Sequence, residues 1–251
     1  LKDKKILVLS VIVQAGKILL ESGAEISRVE DTMIRIGKNS QFDNIVIFVT
    51  PTGIFASLSD ENYSQMASIH SHNINLDKIR YVNELSRNFA EQKITITTFR
   101  EKLAIIEDNI QKYSILTKTL GAGILSSALI YTLTTAHDSL LVGFAISSIA
   151  YLIFLGMTKI TKTDFLSYGI AAFFIGIAAV ISVNFGISSD VDSMIVGCVM
   201  PFVPGVKIVN AFSDGIKGHS ISSVSFALQA ILTACSIGFG IASALILFRE
   251  I

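Results

Sequence analysis

The stretch CVMPFVPGVKIVNAF (198–212) most constrains this chain, because Pro201 and Pro204 interrupt one of five long apolar segments crowding the second half. A water-soluble core has no need of so much continuous apolar sequence. A simple membrane anchor gains little from a double helix break at bilayer depth. Backbone freed from helical pairing is tolerated there where it is buried in protein or lines a cavity, as in transporters. The pattern points to a transporter or a subunit of one.

Composition divides the chain into two unequal parts. Of the 251 residues 51% are hydrophobic, and the formal net charge is zero. Fifteen of twenty Lys and Arg lie in 1–118, fourteen of twenty Asp and Glu precede Tyr113, and thirteen of seventeen Gly follow it. A chain with no basic excess is not expected to bind nucleic acid. Cys198 and Cys235 both fall in apolar segments and imply neither a disulfide framework nor a metal cluster. His70, His72, His137 and His219 lack a ligand spacing, so no metal and no cofactor are expected. Leu1 to Lys5 is charged and the apolar run after it ends at Gln14, so no signal peptide is expected.

Residues 1–113 read as a small α+β domain. Helical periodicity runs through 5–37, with Gln14, Lys17, Glu21, Glu25, Arg28, Thr32 and Arg35 on one face and apolar residues opposite. This predicts one amphipathic helix. Alternating stretches at 45–50 and 53–59, separated by Pro51, Thr52 and Gly53, predict a hairpin, with a third strand through 64–70. Helices are expected at 76–92, behind an Asn75 cap, and at about 97–112. On the wheel Glu30 falls near Leu19, Gly23 and Ile26, away from the polar stripe. It is either a carboxylate aimed at a partner or translocation route, or an edge residue reaching water or a base. The stripe itself reads first as an ion-paired, exposed face.

Residues 114–251 read as an all-α polytopic bundle with spans at about 115–135, 139–157, 165–185, 191–212 and 222–248, the fourth interrupted by proline. The segments near 134–139 and 184–193 lack Lys and Arg. Lys159 and Lys162 mark one loop, and Lys207 and Lys217 another. The positive-inside rule then places the N-terminal domain inside and the C-terminus outside, with only Arg249 against it. Beyond the break, Pro204 and Gly205 can start a second helix whose N-terminus suits a carboxylate, or simply form a kink. Asn210 and Asp214, one turn apart, can face one cavity, and Gln229 is the deepest amide of the fifth span. Asp190 and Asp192 are expected to cap the fourth helix. Whether 194–212 crosses or re-enters stays open.

LLESGAEISRVEDTMIRIG (19–37), VTPTGIFASL (49–58), NLDKI (75–79) and PFVPGVKIVNAFSDGIKGHSISSVSFALQAIL (201–232) resemble the threonine/serine exporter family over nearly the whole chain. The resemblance implies the larger, N-terminal half of a split exporter and hence a separate small all-membrane partner subunit. It points to Glu25, Arg28, Glu30, Pro51 and Thr52 in the first part, and to Pro204, Gly205, Asn210 and Asp214 in the second. Many relatives are expected to be acidic where this chain has Gln229, which leaves Asp214 or a partner residue to titrate. Lys207 would favour an anionic or zwitterionic substrate, or reach the membrane interface.

The expected function is a plasma-membrane, secondary active exporter subunit for threonine or serine, driven by the proton motive force and acting in an oligomer. No nucleotide-binding motif occurs. Alternatives are a dicarboxylate exporter of the succinate type, a membrane-anchored hydrolase with Glu25 or Glu30 as base, and a gating or assembly module.

Overall fold

The computed structural model describes residues 2–42, 44–58, 63–69, 74–109, 113–134 and 139–248. His70, His72, His137 and Arg249 lie outside these described residues. The elements in chain order are α1 (Lys2–Glu21), α2 (Ile26–Asn39), β1 (Ile45–Thr50), β2 (Gly53–Leu58), β3 (Tyr63–Ser68), α3 (Leu76–Ala90) and α4 (Ile96–Asn109). Then come α5 (Ile115–Leu133), α6 (Ser139–Thr161), α7 (Asp164–Asn184), α8 (Val191–Val199), α9 (Gly205–Ile216) and α10 (Ser220–Phe248). They form two compact units: Leu1–Gln111 with Val206–Ala227, and Lys112–Gly205 with Leu228–Ile251.

In the first unit the helix expected over 5–37 is two helices. Gly23 adopts φ +90°, a conformation that costs a residue with a Cβ, and ends α1 in a Schellman-type turn. The Ala24 amide donates to Leu19 O and the Gly23 amide to Leu20 O, both at 3.1 Å. The chain reverses and α2 packs back on α1, close enough that a Cβ on Gly16 would stand 2.5 Å from Met33 Sδ. The apolar face of α2 is Ile26, Val29, Met33 and Ile36, at helical spacing and fully buried. With Ile12, Ile18, Leu19 and Leu20 of α1 they form the core. Each such side chain contributes roughly 1.5–3 kcal/mol on leaving water.

The three strands form an antiparallel meander in the order β1-β2-β3. Thr50 pairs with Gly53 across the two-residue turn Pro51–Thr52, as the sequence predicts. Ile54, Ala56 and Leu58 of β2 alternate into the core. The opposite face carries the in-register row Phe48, Phe55 and Met66, with Phe48 and Met66 exposed. Asn75 caps α3, accepting from the Lys78 amide at 3.0 Å.

The second unit is helical. Among the described residues of the chain, four helices are long and apolar enough to cross a membrane: Ile115–Leu133, Ser139–Thr161, Asp164–Asn184 and Ser220–Phe248. The bent pair Val191–Phe202 and Gly205–Ile216 makes a fifth if it is one span. Small residues bring these helices together. A Cβ on Gly240 would fall inside contact distance of Gly169 O and 3.0 Å from Phe173 N, so here two backbones touch. Serines supply the polar links: Ser126 Oγ to Cys198 Sγ at 3.4 Å, Ser127 Oγ to Leu140 O at 2.9 Å and Ser147 Oγ to Ala122 O at 3.2 Å. Asp190 caps α8 through the Ser193 amide at 2.8 Å, while Asp192 sits in its first turn.

The α8 helix ends at Val199, and Met200–Phe202 forms a single 3-10 turn. Val203 is extended, and α9 begins at Gly205, one residue beyond Pro204. Missing amide donors at Pro201 and Pro204 fit this break between α8 and α9. Between the prolines, Phe202 is buried in an aromatic cluster with Tyr151, Phe154 and Tyr168, whose ring centroids lie 6.2, 5.9 and 6.5 Å away. Such contacts add about 0.5–1.5 kcal/mol per pair beyond burial and fix where the turn sits.

Candidate functional site

The residues with the most chemical potential meet where α1 turns into α2. After Gly23 the chain passes through Ala24 and Glu25, and Glu25 stands at the N-cap of α2 in extended conformation. Its carboxylate does not cap the helix. It turns instead to Lys217, just beyond α9, whose Nζ lies 2.5 Å from Glu25 Oε2 and 2.9 Å from Ser27 Oγ. The Lys217 hydrogen bond, aided by the Ser213 hydroxyl and the charge of Arg28, holds the Glu25 carboxyl below the usual carboxylate range.

Other contacts reinforce this elbow. Asn210 Nδ2 donates to Gly23 O at 3.4 Å, and the Asn75 amide donates to Ser22 O at 3.1 Å, tying the start of α3 to the turn. Glu30, one helical turn beyond Ile26, lies 3.7 Å from His219 Nε2. The continuous helix is two, but within α2 Glu30 still shares a face with Ile26, as on the wheel.

Asp214 lies among these groups with no exposed surface. Neither of its carboxyl oxygens has a hydrogen-bond partner among the described residues. Burial pushes its carboxyl above the usual carboxylate range, and the Ile26 amide, first of α2, acts against that. An uncompensated buried carboxylate is costly, so this arrangement is an exception that invites explanation.

A cavity of about 190 Å³ opens beside the elbow. Leu19, Gly23, Ala24, Leu76 and Ile79 form its apolar walls, while Glu25, Arg28, Asn83 and Asn210 supply polar groups. Arg28 is exposed, and no ion pair engages it among the described residues. Thr32 Oγ1 lies 3.5 Å from Asn83 Oδ1. A larger cavity of about 270 Å³, between Lys4, Gln41, Phe89 and Ile96, carries a cation and no carboxylate.

Of the residues singled out from sequence, the structure brings Glu25, Arg28, Glu30, Asn210 and Asp214 together in the first unit. Pro51 and Thr52 belong to the strand turn and do not line the cavity. Lys207 is half-buried on α9, with no ion pair among the described residues. Pro201, Pro204, Gly205 and the half-buried Gln229 belong to the second unit. Lys217, His219, Ser27 and Asn83 are the site residues missed in the sequence. Among the described residues no group of His, Cys, Asp and Glu could hold a metal ion.

Residues 10–248 match a family described as "Putative threonine/serine exporter". No curated protein and no solved structure matches the chain.

Proposed function

The chain belongs to the threonine/serine exporter family, and from that premise we propose that it is a subunit of a secondary active exporter carrying threonine or serine outward. The observation that carries this reading is the extent of the match. It takes in both the apolar helices and the charged elbow, so one transport function covers both units. The match gives no support to a dicarboxylate substrate or a hydrolase.

In this reading residues 1–113 lie in the cytoplasm and the spans follow the positive-inside rule, with 191–212 as the interrupted one. A small all-membrane subunit completes the pathway, in an oligomer at the plasma membrane. Export is driven by the proton motive force. Asp214 suits the proton-carrying role that Gln229 does not fill: it is buried, and its oxygens lack hydrogen-bond partners among the described residues. A carboxyl in such a setting is held at low cost when protonated and at high cost when charged.

The test is efflux of radiolabelled threonine and succinate from cells lacking their own exporters, with this chain expressed alone and with a small membrane partner. Threonine efflux only in the pair, abolished by a protonophore and by Asp214→Asn, is the expected result. Succinate efflux without threonine efflux overturns the substrate. Threonine efflux indifferent to the protonophore overturns the coupling.

A further inference from the structure

We propose that the elbow cavity is a binding site for a free, small, zwitterionic amino acid, with Arg28 taking its α-carboxylate and Glu25 its α-ammonium. The cavity's lining contains one guanidinium, one carboxylate and two amides above an apolar floor. That set is electrically balanced, as is an amino acid at neutral pH. A dicarboxylate would bring two negative charges to one cation and meet Glu25 as a like charge. A simple apolar molecule would leave the Arg28 guanidinium without a counter-charge, which selects against it.

The geometry assigns each group. Arg28 is the lining cation that no residue of the protein pairs with among those described, and its planar fork matches a carboxylate bidentately. Its charge also acts on Glu25, so the cation and anion lie within electrostatic reach of each other. Lys217 occupies Glu25 Oε2. A carboxylate offers about four acceptor sites, which leaves room for a ligand ammonium beside Lys217. Asn83 and Asn210 stand at the same cavity to meet a side-chain hydroxyl, while Leu76 and Ile79 face its carbon atoms. A space of about 190 Å³ suits a short side chain and excludes a peptide.

As a binding site this rests on the cavity alone; as the place where cargo is taken up it rests on the export reading. Both are separable by experiment. The full chain is purified with its membrane helices in detergent, and equilibrium binding of radiolabelled L-threonine is measured. Saturable binding is expected. Threonine methyl ester, which lacks the carboxylate charge, and 2,3-dihydroxybutyrate, which lacks the ammonium, should each compete at least tenfold more weakly than threonine. Succinate should not compete. Arg28→Met should weaken binding at least tenfold and Arg28→Lys less. Arg28 is exposed, so these variants should keep the fold, and the ligand series on the unmodified chain needs no variant. Absence of saturable binding, ester competition equal to threonine, or binding indifferent to Arg28→Met overturns the site. Threonine efflux without such binding removes the site and leaves the export reading. Binding that obeys the ligand series without efflux leaves the site and removes the export reading.

Discussion

Each of the two units is held together internally, and by opposite means. The first excludes water with large side chains: Ile12, Ile18, Leu19, Met33 and Phe99 are wholly buried. The second brings backbones close, at Gly240 against Gly169 and through serine hydroxyls on neighbouring carbonyls. The difference follows from the solvent each reading implies. In water the free energy comes from removing apolar area. Between helices in lipid, apolar side chains gain little by meeting one another, so close packing and hydrogen bonds must do the holding. Its exposed faces fit this, with Leu141, Phe239 and Ile246 turned outward. The first unit should therefore be broken by deleting carbon and the second by adding it.

Gly240→Ala tests the second half of that statement and should have the largest effect. The new Cβ meets backbone atoms of Gly169 and Phe173, which cannot rotate away as a side chain can. A loss of about 3 kcal/mol or more is expected, read as a lower thermal midpoint and a smaller monodisperse fraction in detergent. Tolerance of alanine there would show that close backbone approach does not hold the second unit. Ile12→Ala tests the first half. Ile12 is fully buried in the core of the first unit, so about 2–4 kcal/mol should be lost. Loss of stability below about 1 kcal/mol would mean that this core collapses around the gap and the contrast is weaker than stated.

What the sequence made legible was local. The meander, the Asn75 and Asp190 caps and the helices at the apolar segments each depend on residues a few positions apart. The elbow was not legible, because apolar periodicity continues across Gly23 and hides a turn that one positive φ produces. Serine followed by glycine inside a helical pattern was the available signal. Nor could spacing join Glu25 to Lys217, which are 192 residues apart. That pairing exists because residues 206–227 return to the first unit, a tertiary fact with no local signature. The aromatic cluster had a faint one: Tyr151 and Phe154 share a helix face at i,i+3, and Phe202 is framed by two prolines.

The polar contacts of the elbow sharpen the comparison from another side, since they should contribute far less than either kind of packing. Lys217→Ala removes two hydrogen bonds from a side chain that is 42% exposed, and about 1 kcal/mol or less should be lost. Its mark should be local: faster amide exchange in α9 and at the start of α2, with β1 to β3 unchanged. Lys217→Arg should restore most protection, because the charge and reach are kept. Equal acceleration throughout the first unit would make the contact part of the core and not a latch upon it.

The smallest effect expected is the pH dependence of that latch. Lys217 holds the Glu25 carboxyl below its ordinary value, so the folded chain binds a proton there less readily than the unfolded one. The stability this contributes is present above the ordinary carboxylate range. It is lost as pH falls through the depressed value of the folded state. Glu107 titrates in the same direction: burial alone would raise it, but the Gln14 amide and Lys17 ammonium together outweigh burial and lower it. The two carboxyls share no partner, so their effects should add. Subtracting Glu25→Gln from the unmodified chain, pH by pH, therefore cancels Glu107 and leaves Glu25 together with its effect on the neighbouring Asp214. The gap in thermal midpoint should be steady from neutral pH down to about pH 5 and close below it, as the carboxyl takes up its proton. A gap that persists in strong acid would mean that Glu25 acts there by shape and hydrogen bonding, not by the charge it offers to Lys217.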